Sequence, residues 1–124
     1  MGKDIHRIIA WQKADDLVVE VYRASESHFS RAEQFGLTAQ LRSAAVSVAA
    51  NIAEGSGGSN TKEFRRFLYY AQGSLSEVEY YLHLTRRLGY LSEGLVAPLE
   101  RLRSETGRTL YGLINALESS HSHD

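Results

Sequence analysis

Between residues 62 and 87, basic and aromatic side chains recur at helical spacing. Arg65, Tyr69, Gln72, Ser76, Tyr80 and His83, with Arg87 farther on, follow one another every three or four residues, and Lys62 precedes them. On a helix this gathers them on one flank, about 100° round from the apolar line beside it. Two chemistries suit these residue types. Arginines meeting phosphates and rings stacking on bases would track a nucleic-acid backbone. Tyrosine and arginine are also enriched at protein–protein hot spots, and a subunit interface is the preferred reading, ahead of a solvated flank. Arg66, Tyr70 and Tyr81 make a second row of the same kind. Free amides at the start of this helix, with Lys62, Arg65 and Arg66, offer a place for one phosphate. Arg86 and Arg87 complement the helix dipole at its other end.

A polar line of Ser47, Asn51 and Glu54 runs at spacings of four and three. Its expected role is to fix helix register, with Asn51 bonding across to the next helix and Glu54 approaching Lys62, Arg65 and Tyr69. As a general base Glu54 would need a nucleophile or second carboxylate, and neither is placed for it. Di-iron bundles need two Glu-x-x-His motifs on separate helices. Only Glu118-x-x-His121 fits, and Glu79 with His83 lacks a partner pair. No catalytic residue, metal or cofactor is therefore expected. The glycines from Gly55 to Gly58 are not a phosphate loop, because Thr61 rather than glycine precedes Lys62 and the flanks are helical.

Four amphipathic segments must position these residues. The first carries Ala10, Ala14, Leu17, Val21 and Ala24; the second, Leu37, Leu41, Ala44, Val48 and Ile52. In the third, Phe64, Leu68, Ala71, Leu75, Val78, Leu82 and Thr85 alternate at four and three. The fourth has Leu95, Leu99, Leu102, Thr106, Leu110, Leu113 and Leu117. Each set occupies one face of an α-helix, and no segment alternates as a strand would. A break falls at His28–Arg31. Glycines from Gly55 are expected to stop the second helix, Asn60 with Glu63 to cap the third in a capping box, and Gly89 to end it. Ser92 is the expected cap of the fourth, in which Pro98 either bends the helix or marks where regular pairing begins. Gly73 and the alanines of the second segment should let helices two and three approach closely. Short connections between apolar-faced helices predict an all-α, antiparallel up-down-up-down four-helix bundle, one domain over residues 1–124 with its core at about 8–117. The tail at 119–124 should fray.

The 124 residues are 43% hydrophobic and 23% charged, with no cysteine and a net charge of −1. Zero cysteines excludes disulfide frameworks, thiol catalysis and cysteine-built metal sites. Seven basic and seven acidic residues up to Lys62, then seven and eight, leave no global field for a non-specific DNA coater. No apolar run can cross a bilayer and no secretory leader opens the chain, so a cytoplasmic protein away from membranes is expected.

One resemblance sharpens this. Ala10-Trp11-Gln12-Lys13-Ala14, Phe35-Gly36-Leu37-Thr38-Ala39-Gln40-Leu41-Arg42 running on to Ser47, and Asn51-Ile52-Ala53-Glu54-Gly55 stand in order. Glu63-Phe64, Phe67-Leu68, Ala71, Gly73-Ser74-Leu75, Glu77 and Leu88-Gly89-Tyr90-Leu91 follow. Together they resemble the four-helix-bundle family of 23S rRNA intervening-sequence proteins, related to the accessory protein of diversity-generating retroelements. The resemblance implies a bacterial, cytoplasmic, non-enzymatic homopentamer, with RNA or a nearby-encoded reverse transcriptase as candidate partners. A protein-interaction scaffold that binds no nucleic acid is the alternative. Two positions depart from the family's pattern. Ala49 replaces a common proline, so helix two should run straighter, and Gln72 replaces a frequent arginine, which removes a charge from the candidate surface.

Overall fold

The apolar periods close into four helices: α1 (Ile9–His28), α2 (Leu37–Ser56), α3 (Thr61–Arg87) and α4 (Glu93–Ser122). The computed structural model describes residues 4–28 and 36–122, with side chains at 4–26 and 36–119, and there is no strand among them. The 28–31 break therefore falls largely outside the described residues, as do positions 123–124. Ahead of α1, Asp4 caps a 3₁₀ turn at Ile5–Arg7 by accepting the His6 N–H at 3.1 Å. α1 packs on α2 and α4, and α3 packs on the same two helices, a four-cornered bundle. Chain directions oppose at the α3–α4 seam, where Glu79 meets Arg103 while Tyr69 meets Glu118, and at the α2–α3 seam, where Ser47 meets Ser74 while Gly55 faces Phe67. These helices are antiparallel neighbours.

The core follows the stripes closely in α3, where all seven expected positions are buried. Leu17, Leu41, Leu68 and Leu82 are almost wholly enclosed, each contributing about 1.5–3 kcal/mol of burial. In α1 the stripe is buried through Val21, with Ala24 half-buried; in α2 Thr38 takes the deep position expected of Leu37. α4 is rotated from its expected line. Val96, Leu99, Thr106, Leu110 and Ile114 are buried, whereas Leu95, Leu102, Leu113 and Leu117 flank the core. Val96 and Ile114 take the inner positions in place of Leu95 and Leu113, and Arg103, its side chain only 16% exposed, stands in place of Leu102, so the leucines alone do not mark the period.

Helix ends divide the expectations. Asn60 caps α3, its Oδ1 accepting the Glu63 N–H at 2.8 Å. The reciprocal half of the box is replaced, because the Glu63 carboxylate pairs with Arg66 at 3.3 Å. Gly89, at φ 73°, ends α3 as expected: Tyr90 N–H reaches the Thr85 carbonyl at 3.0 Å and Gly89 N–H that of Arg86 at 3.1 Å. This pair of bonds needs a left-handed residue, which glycine adopts without a Cβ penalty. The glycine cluster ends α2 as expected, at Gly57, though with an ordinary φ of −84° and not a left-handed one; the helix runs through Ser56 and so includes Gly55. Gly55 serves close approach: a Cβ there would lie 2.8 Å from Phe67 Cβ and 3.0 Å from Phe64 Cδ1. Gly73 is the reverse case. It is exposed, and a Cβ at that position would meet nothing within 4 Å, so it does not bring helices together.

In α4 the Leu95 and Val96 N–H groups already reach the Ser92 carbonyl at 3.0 Å, so pairing begins ahead of Pro98, which lies inside the helix. The helix extends through Ser122, into the segment expected to fray. Among the described residues no helix is long and apolar enough to cross a membrane.

Candidate nucleic-acid interface

The seam between α3 and α4 holds three hollows in a row. The largest, about 670 Å³, opens at the head of α3 and brings together Asn60, Lys62, Glu63, Arg65, Arg66 and Tyr69 with Glu118 from the end of α4. The asparagine cap fixes where α3 begins, and spacings of three and four then turn Lys62, Arg65, Arg66 and Tyr69 toward one opening. Arg66 also lies over the Phe67 ring at 5.4 Å. Lys62 and Arg65 make no ion pair among the described residues, and Arg65 Nε is buried without a hydrogen-bond partner there. Tyr69 Oη donates to Glu118 Oε1, and this bond holds the phenol proton more tightly, raising its pKa.

The second hollow, about 410 Å³, lies between Tyr69, Gln72, Ser76, Arg103 and Gly107. Arg103 closes it, forking onto Glu100 at 2.6–3.0 Å and reaching Glu79 across the seam at 3.3 Å. The Glu100 hydrogen bonds, with both carboxylate charges, keep the guanidinium pKa above its ordinary value against the effect of burial. The third hollow, about 180 Å³, gathers Glu79, His83, Arg86 and Glu100.

The sequence-predicted stripe is thus split. Lys62, Arg65, Arg66 and Tyr69 share one groove, Gln72 lies beyond it, and His83 is in another hollow. Tyr80 and Arg87 leave the line. Glu79 and Arg86 occupy the seam in their place, because Tyr80 is two residues, roughly 200° of helix, past buried Val78. Tyr80 is 57% exposed and its ring stands beside those of Tyr81 and His83. Arg65 and Arg87 lie about 33 Å apart along the axis, too far to act as one contact. In the second row Tyr70 meets Phe67 edge-to-face, while Tyr81 is half-buried against the core.

Of the polar line of α2, Ser47 and Asn51 enter one hydrogen-bonded group with Ser74 of α3, and Glu54 does not. Ser47 Oγ and Ser74 Oγ meet at 2.8 Å across α2 and α3. Asn51 does not bond across; its Nδ2 donates to the Ser47 carbonyl at 2.8 Å and to Ser47 Oγ at 3.0 Å, orienting that hydroxyl. Glu54 is exposed and makes no ion pair with Lys62, Arg65 or any other described residue. Among the described residues no three His, Asp or Glu side chains gather around a metal position. Glu118 is engaged by Tyr69, and the His121 side chain lies outside the described set.

One surface is not evident from the apolar stripes. Ala39, Ser43, Val46, Ala50 and Ala53 line the outward face of α2, all exposed. Residues 43–53 contain no charge. Arg42, which precedes them, is turned toward α1, donating from Nε to Ser25 Oγ at 2.8 Å and lying 4.5 Å over the Tyr22 ring. The signal for this face is a run of eleven uncharged residues in a helix with only one core-facing side.

Residues 6–112 match the sequence profile of the 23S rRNA-intervening sequence proteins. The chain belongs to that family. A crystal structure of a protein of unknown function from the S23 ribosomal protein family of Bacteroides thetaiotaomicron superimposes with a TM-score of 0.79 at 21% identity, over 86% of this chain and 98% of that one. This likeness shows the same bundle fold. No curated protein matches the chain. For a 23S rRNA-intervening sequence protein, the groove at the head of α3 is the feature of most chemical interest: three cations, a ring and idle donors around one opening.

Proposed function

We propose that this protein is a non-catalytic, cytoplasmic assembly of identical subunits that binds RNA through the groove at the head of α3. The observation that carries the RNA reading is the convergence of Lys62, Arg65, Arg66 and Tyr69 on one hollow, with Lys62 and Arg65 in no ion pair among the described residues. Cations fix a phosphate and a half-exposed ring offers a stacking platform, the two parts that single-stranded recognition uses. The family's name ties it to an insertion in 23S rRNA, which makes RNA the polyanion of choice.

Self-assembly rests on α2. A surface helix ordinarily carries charge on its solvent side, and here that side is alanine, serine and valine across three turns. A second copy is the occupant we assign to it, in the five-fold assembly that the family resemblance leads one to expect.

Anisotropy titrations of single-stranded RNA, hairpin RNA and duplex DNA across a salt series test the first part. Affinity should fall linearly with log salt. The Arg65→Ala/Arg66→Ala variant should flatten the slope by about 1.4, roughly 0.7 for each single-strand phosphate no longer neutralised. No binding at low salt would overturn the RNA reading and leave a protein-interaction scaffold, with a polymerase such as a reverse transcriptase as its candidate partner. Light scattering of Val46→Glu tests the second part: the variant should fall to a smaller species, and an unchanged mass would make the α2 face a plain solvated surface.

A further inference from the structure

Glu118 is oddly placed in the groove. It lines the same hollow as Lys62, Arg65 and Arg66, yet it ion-pairs with none of them. Its carboxylate is instead held by the Tyr69 hydroxyl, across the α3–α4 seam and 49 residues away in the chain. Meanwhile Lys62 and Arg65 stand without an ion pair among the described residues, and Arg65 Nε is buried without an acceptor. Buried donors are ordinarily satisfied, so Arg65 lines the groove with hydrogen-bonding capacity that no described residue uses.

We infer that Glu118 is a built-in competitor for the phosphate site, and that RNA enters only when the Tyr69–Glu118 bond opens. The inference rests on the reading of this groove as the RNA site. A backbone phosphate holds its non-bridging oxygens at tetrahedral angles, so it can bridge the idle Lys62 and Arg65 donors that Glu118 leaves unused. It competes for the same Tyr69 hydroxyl. Breaking that bond also removes a fixed negative charge from the opening and frees the Tyr69 ring, already 49% exposed, to turn onto a base. The geometry of α4 permits the motion. Leu117 still packs against the core, whereas the Glu118 carboxylate is held among the described residues by Tyr69 alone, so rotation of the Glu118 side chain is enough to open the bond. Displacing it leaves the core untouched.

Such a gate lowers apparent affinity by the fraction of time it is open. The test is a double-mutant cycle in the full-length protein, read as the dissociation constant for one fluorescent single-stranded RNA at fixed low salt. Glu118→Ala, which leaves Tyr69 no acceptor, should tighten binding by about tenfold, the gain expected for a gate open about a tenth of the time. In a Tyr69→Phe background, which keeps the ring but has no hydroxyl to hold Glu118, the same substitution should give much less than that gain. An equal gain in both backgrounds would mean that Glu118 acts only through its charge, and would overturn the gate. No gain from Glu118→Ala would overturn it as well. Arg65→Ala separates this from the underlying reading: if it weakens RNA binding while the cycle shows no coupling, the groove is the RNA site without a gate. If Arg65→Ala changes nothing, the site reading fails and the gate with it.

Discussion

Toward α2, α3 is packed so closely that there is no room for a methyl group at Gly55 against Phe67, and two serine hydroxyls meet at 2.8 Å between the helices. Toward α4, the same helix is held by long side chains reaching over a seam with three hollows: Tyr69 to Glu118, Glu79 to Arg103, and Arg86 to Glu93 at 3.6 Å. Short contacts between small residues fix register and admit nothing else. Long polar links fix spacing only approximately and leave space beneath them. One flank of α3 therefore determines where the helix sits, and the other is where a ligand has room.

That contrast can be broken at single residues, with unfolding by urea at one protein concentration as the measurement. Gly55→Ala should be the most damaging, about 3 kcal/mol, because the methyl meets Phe67 Cβ, which cannot swing away without moving α3 itself. Ser74→Ala should cost about 1 kcal/mol by removing the partner of Ser47 across the tight flank. Gly73→Ala, on the open side of the same helix, should stabilise by about 0.5–1 kcal/mol, since alanine suits an exposed helix interior better than glycine does. A loss at Gly73 equal to the loss at Gly55 would mean that the open side is also a packed surface, closed by another copy of the chain.

The sequence is easiest to read where packing follows one rule. α3 has an uninterrupted apolar line, and each of its positions is buried. α4 is misaligned by the same reading because Val96, Ile114 and Arg103, the last paired with two carboxylates, stand on its inner line in place of the counted leucines. The glycines exchange meanings: Gly55 reads as punctuation and is a contact, whereas Gly73 reads as a contact and is open. Spacing alone cannot tell these apart, because the answer depends on the neighbour that arrives from another part of the chain. The head of the candidate site is legible, since Lys62, Arg65, Arg66 and Tyr69 belong to adjacent turns of one helix. Its far half is not, because Tyr80 and Arg87 drift around the axis by roughly one residue's rotation. Glu118 reads as part of a motif that lacks its second half, and its role depends on a partner 49 positions earlier.

Only four residues, 57–60, join α2 to α3, whereas the pairing of Lys13 with Glu105 joins points 92 residues apart. That asymmetry sets an order of events as the chain folds. The α2–α3 hairpin encloses little loop entropy and carries the tightest flank in the molecule, so it should form first and offer a template on which α1 and α4 then close. Amide hydrogens in the middle of α2 and α3 should accordingly be the slowest to exchange with solvent, and those at the end of α4, beyond Ile114, among the fastest.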